Sequence, residues 1–152
     1  MDQPGFGGAV KSTGQEARTV RHSGTIYLIL NALIFAIIGV SAFANPLAFT
    51  KTIDFALTAP AAMPEFLATF GGLMVMIGAA IGLAVVFRRH RSIAFLLIAM
   101  AYAGFGSGRL VGMLAHSGFD WRNGLFFATE ILLILWGTAC YLQERRQGHG
   151  PS

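Results

Sequence analysis

Residues 73–87 read LMVMIGAAIGLAVVF, Leu73 to Phe87, fifteen positions without a charge or a strong polar group. A membrane-spanning barrel strand alternates apolar and polar side chains, and this run does not. Lipid offers no partner to a free backbone N–H, so a run of this kind must close its own hydrogen bonds as a helix. Leu28 to Val40 is almost as uninterrupted, broken by Asn31 alone. Working outward, four apolar runs are long enough to cross a bilayer: 24–44, 66–87, 92–115 and 121–142. As helices they span about 32–36 Å, against a hydrocarbon core of about 30 Å.

Composition agrees. Of 152 residues, 55% are apolar and 12% are charged, and mean hydropathy is +0.62. A chain this short exposes too much surface to hide that much apolar side chain in water. The predicted fold is therefore all-α, a four-transmembrane-helix bundle. Residues 1–23 and 143–152 read as cytoplasmic tails, the first of them flexible, because neither has apolar periodicity.

The charges set a direction. Lys11, Arg18, Arg21, Arg88, Arg89, Arg91, Arg145 and Arg146 fall on one side of the predicted spans, and Lys51 and Arg122 on the other. Eight against two is a positive-inside signal, which puts both termini in the cytoplasm. A net charge of +4 is spent on topology in this reading, so no nucleic-acid partner is expected, and the Arg88–Arg91 cluster reads as a tight cytoplasmic turn that also suits anionic lipid. Ala42-Phe43-Ala44 has the form of a signal-peptidase site, but the run before it exceeds the usual h-region of about 7–15 residues, so an uncleaved anchor is expected. The longest connection, Asn45 to Glu65, carries Leu47, Phe49, Ile53, Phe55 and Leu57 and reads as a short interfacial helix. Pro60 and Pro64 punctuate its return.

Two charges lie well inside spans. Arg109 sits about 9 Å, and Glu130 about 13 Å, from the ends joined by the third connection. That connection is short, so spans three and four are antiparallel neighbours and the two charges share a depth. An isolated charge there costs a few kcal/mol. A guanidinium–carboxylate pair between Arg109 and Glu130 is the expected solution. Two roles fit it: fixing the rotation of one helix on the other, or serving as a ligand or proton site. Tyr102, Phe105, Gly106, Met113 and His116 share a face with Arg109 by helical spacing, and Asn123, Phe126, Phe127 and Ile134 share one with Glu130. Tyr102, Phe105, Met113, His116, Asn123, Phe126 and Phe127 would line an apolar, aromatic pocket with a few polar groups, a composition common to ligand sites and to helix cores.

Small residues form a second pattern. Gly71, Gly72, Gly78 and Gly82 mark span two, and Gly104, Gly108 and Gly112 mark span three at intervals of four. Such ridges let helix backbones approach closely, so they are expected to pack helices within the chain, with a homo-oligomer or membrane-complex partner as the alternative. Asn31 in span one is expected to bond across helices. His22, His90, His116 and His149 lie in tails and connections, which argues against a metal or haem. Cys140 has no nearby His, and no nucleophile motif or P-loop occurs. No cofactor is expected, and the protein reads as non-enzymatic.

The stretch Glu65-Phe66-Leu67-Ala68-Thr69-Phe70-Gly71-Gly72, with Gly108-Arg109, Gly118 and Glu130, resembles a family of small bacterial four-helix membrane proteins catalogued as a domain of unknown function. The resemblance covers residues 24 to 142 and departs at Leu67, where that family often carries a basic residue. It implies an inner-membrane location and no established activity. Three functions remain on the sequence alone: a binder of a small lipophilic or anionic ligand near Arg109 and Glu130, an accessory subunit of a membrane complex, and a small transporter.

Overall fold

The computed structural model describes residues 9–59, 61–115 and 120–148. Pro60, His116 and Gly118 lie outside them. The described chain is all-α, with no strand. Helix α1 runs Ala9–Ala44, α2 Pro46–Thr52 and α3 Ala62–Phe66, continued by a π-helical stretch, Leu67–Leu73, into α4, Met74–Val86. A 3-10 turn, Arg88–His90, leads to α5, Arg91–Ala115, and α6 covers Trp121–Gly148. Among the described residues four helical segments are long and apolar enough to cross a membrane: His22–Ala44, Ala62–Val86, Arg88–Ala115 and Trp121–Arg146. Ile26, Leu33, Met76, Val86, Ile93, Met100, Leu114 and Leu132 are all exposed, which suits side chains whose solvent is lipid.

Helix α1 begins at Ala9, ahead of the boundary that hydropathy sets near residue 24. Gln15, Glu16, Ala17 and Arg18 are good helix formers, and hydropathy is blind to them. At the other end, Asn45 stops α1 and starts α2: its side-chain oxygen accepts from the Ala48 N–H at 3.1 Å, and Pro46 takes the first helical position. Asp54 follows α2 with φ of 52°, a left-handed conformation that aspartate tolerates.

The chain divides into two compact units, Leu28–Ala94 and the remainder, Met1–Tyr27 with Phe95–Ser152. In the unit Leu28–Ala94, α1 meets α4 and the π-helical stretch before it, nearly backbone to backbone. A Cβ on Gly39 would stand 2.6 Å from Val75 Cγ2 and 2.8 Å from the Gly71 carbonyl oxygen. One on Gly78 would stand 2.9 Å from the Ala36 nitrogen, and one on Gly71 would strike the Phe43 ring at 2.8 Å. Gly71 and Gly78 therefore pack as expected of small residues between membrane helices. Gly72 and Gly82 do not: among the described residues the first would meet only Leu67 O at 3.9 Å, and the second nothing within 4 Å. Spacing by four selects a stripe, and the helix here turns Gly71 and Gly78 inward instead. At the end of this unit Phe66 stacks on Phe70 at 5.1 Å, and Phe49 and Phe55 tilt against both at 5.9–6.2 Å. Asn31 is fully buried. Arg88, Arg89 and His90 are exposed, whereas Arg91, grouped with them by sequence, is 4% exposed at the start of α5.

In the other unit, the Tyr27 hydroxyl donates to the Leu133 carbonyl at 2.7 Å. Its ring lies 5.0 Å from Trp136 and 6.0 Å from Phe95. Trp136 Nε1 donates to Ser23 Oγ at 3.1 Å. These contacts tie the α1 segment ending at Tyr27 to α6, and beside them α6 packs against α5.

A candidate ligand groove beside an intramembrane ion pair

Arg109 on α5 and Glu130 on α6 meet. Arg109 Nη2 donates to Glu130 Oε1 at 3.0 Å, and Nε donates to Oε1 and Oε2 at 3.3 and 3.4 Å. Arg109 Nη1 donates to Asn123 Oδ1 at 3.2 Å, and the guanidinium carbon stands 5.1 Å from the Phe126 ring centre. One edge of the cation is thus held by a carboxylate, one corner by an amide and one face by an aromatic ring. Glu130 is 7% exposed, while about a quarter of the Arg109 side chain, 28%, stays open.

Gly106 makes room for the carboxylate. A Cβ there would stand 3.4 Å from Glu130 Oε2 and 3.7 Å from the Phe127 ring. Gly106, rather than Gly104 or Gly108, is where α6 comes close. Each residue of a helix turns by about 100°. Tyr102, Gly106 and Arg109 consequently face α6, and Gly104, Gly108 and Gly112 turn away to the other flank of Arg109. Nothing lies within 4 Å of a Cβ built on any of those three among the described residues. The expected packing ridge on span three is corrected in this respect: its glycines leave open space.

That space is a groove of about 480 Å³ lined by Gly104, Phe105, Gly108, Arg109, Gly112, Met113 and Asn123. Phe105, Met113 and Asn123 belong to the lining read from sequence. Tyr102, Phe126 and Phe127 do not line it. Tyr102 is 7% exposed and within electrostatic reach of Glu130; Phe126 supports the guanidinium, and Phe127 closes over Gly106. His116, also expected there, lies outside the described residues. Glu130 is absent from the lining: it stands behind Arg109. Sequence reasoning missed the groove floor, and the signal available was the angular offset between Gly104-Gly108-Gly112 and Gly106.

The arrangement can hold an apolar body against bare helix backbone and present a cationic N–H donor at one end. A volume near 480 Å³ falls within the usual range of ligand pockets, about 300–1,000 Å³.

No curated protein and no solved structure matches the chain. Residues 24–141 match the family described as a domain of unknown function (DUF4345), and the chain belongs to that family.

Proposed function

We propose that this is a non-enzymatic integral membrane protein that binds a small lipophilic ligand in the groove on α5, with Arg109 and Asn123 as its polar end. One observation carries the reading: the glycine stripe Gly104-Gly108-Gly112 faces open space and runs directly into a partly open, immobilised guanidinium. A ridge of glycines that packs no helix among the described residues leaves a channel about 12 Å long at helical rise. On the positive-inside reading the groove lies in the membrane half away from the cytoplasm, in a bacterial inner membrane. The alternative is an accessory subunit whose partner lays a helix in the same channel.

The test is retention. The protein is purified in mild detergent, and its organic extract is analysed by mass spectrometry beside that of Gly108→Leu, which fills the groove at a position with room for a side chain. A molecule retained by the wild type and lost from a folded Gly108→Leu supports the reading. Equal retention by both, or none by the wild type, overturns it. A stoichiometric protein partner lost from Gly108→Leu favours the accessory-subunit reading instead.

A further inference from the structure

We infer that the ligand of this groove is a neutral amphiphile whose carbonyl oxygen accepts from Arg109, and that Glu130 acts as a filter against anionic headgroups. The inference rests on the binding reading above and narrows it to a chemical class.

It follows from a count of donors. A guanidinium carries five N–H groups. In Arg109 the Nε hydrogen and one on Nη2 go to Glu130, and one on Nη1 goes to Asn123. Among the described residues one N–H on each terminal nitrogen has no acceptor, and Arg109 is a lining residue of the groove. The ligand therefore meets hydrogen-bond donors at the polar end of an otherwise mostly apolar slot.

Charge decides which acceptor suits them. The Glu130 carboxylate lies 3.0 Å from Nη2 and is almost wholly buried behind it. The cation is already balanced. An anion bonded to the remaining N–H groups would face that carboxylate across a few ångströms of weakly screening surroundings, which offsets part of its attraction to Arg109 and leaves its own desolvation poorly repaid. A carbonyl oxygen gains the same hydrogen bonds without the repulsion and with less loss of hydration. A hydrocarbon gains neither and leaves the donors unmet. Phe105, Met113 and the glycine backbone of the stripe provide the apolar length.

Three photoreactive probes with one diazirine-bearing alkyl chain test this in nanodiscs of phosphatidylcholine holding the full chain: a methyl ester, a sulfonate that is charged at every accessible pH, and the plain hydrocarbon. The readout is labelling of residues 104–113 by peptide mass spectrometry, normalised to labelling elsewhere on the lipid-facing surface. The ester is expected to label the groove at least about fivefold more than either of the others, in line with a hydrogen bond to a charged donor. In Glu130→Gln the sulfonate should rise to match or exceed the ester, because the cation loses its balance. A sulfonate that labels the wild-type groove as well as the ester overturns the inference. So does a hydrocarbon that does so. If no probe favours the groove while all label other lipid-facing positions, the binding reading itself fails. Should Glu130→Gln not fold, the comparison of three probes on the wild type decides alone.

Discussion

Gly137 on α6 lies so close to Tyr27 on α1 that a Cβ at 137 would stand 2.5 Å from the tyrosine hydroxyl oxygen and 3.0 Å from its ring. The hydroxyl cannot swing away freely, because it donates to the Leu133 carbonyl on the same helix as Gly137. A glycine and a hydrogen-bonded ring thus set the distance between two helices.

The same substitution should consequently change sign along the chain. Gly→Ala inside an open helix favours the helix by about 0.5–1 kcal/mol. Gly82→Ala, with nothing within 4 Å among the described residues, should raise the unfolding temperature in detergent by a small amount. Gly39→Ala, Gly78→Ala and Gly137→Ala should lower it. The first two should cost most, since the obstructing atoms at 2.7–2.9 Å include backbone nitrogen, which moves only with its helix. Thermal unfolding followed by circular dichroism checks the order, and a stabilising Gly78→Ala would contradict it.

The pair between Arg109 and Glu130 should behave as a coupled unit. Removing the cation leaves a carboxylate that is 7% exposed with no counter-charge, which costs roughly 3–5 kcal/mol in buried pairs. Arg109→Lys should recover only part, because an ammonium cannot reproduce the two-point contact of Nε and Nη2. Arg109→Met with Glu130→Leu should be more stable than Arg109→Met alone, since both charges then leave a medium that penalises either one. Denaturant titration of the wild type, Arg109→Met, Glu130→Leu and the double variant gives the coupling energy. Additive losses would show that the two side chains act independently.

Much of this was legible in the sequence, for reasons that differ by feature. The helices were, because lipid forces apolar runs of about 20 residues and leaves no cheaper backbone. So was the meeting of Arg109 and Glu130, because a charge in a span needs a partner and a short connection brings the two depths together. The glycines were only half legible. Spacing by four identifies a stripe on a helix but not the direction it faces, so Gly71 and Gly78 pack while Gly82 and Gly104 do not. Gly39 and Gly137 stand in no such repeat, and only their neighbours Val75 and Tyr27 reveal what they do. The π-helical turn at Leu67–Leu73 has no signature in residue type, and Arg91 looks like its neighbours Arg88 and Arg89 until its burial is seen.

Asn45 caps α2 through one side-chain hydrogen bond, accepted from the Ala48 N–H. Asn45→Ala should cost about 1 kcal/mol locally and fray the seven-residue α2. Amide exchange should quicken at Ala48 and Phe49 while the α5 and α6 amides stay unchanged. Faster exchange in α5 or α6 would mean that α2 supports more of the molecule than its cap suggests.

Gly106 links packing to the proposed chemistry. A methyl group there would stand 3.4 Å from Glu130 Oε2 and 3.7 Å from Phe127, so the carboxylate must yield by a few tenths of an ångström. Its bonds from Arg109 Nε are already 3.3 and 3.4 Å long, near the limit of useful geometry. Gly106→Ala should therefore weaken the fork while leaving Asn123 in place, with a fall in unfolding free energy of about 1 kcal/mol. It should also unbalance Arg109 slightly, so that the anionic sulfonate probe gains on the ester in the groove. Gly104→Ala, two residues away on the open flank, should leave the stability of the pair untouched and act on the ligand by occupying space. Measuring stability and probe preference in both variants separates the two flanks of α5: one that holds the cation and one that receives what it binds. Identical effects from the two substitutions would show that the helix has no such division.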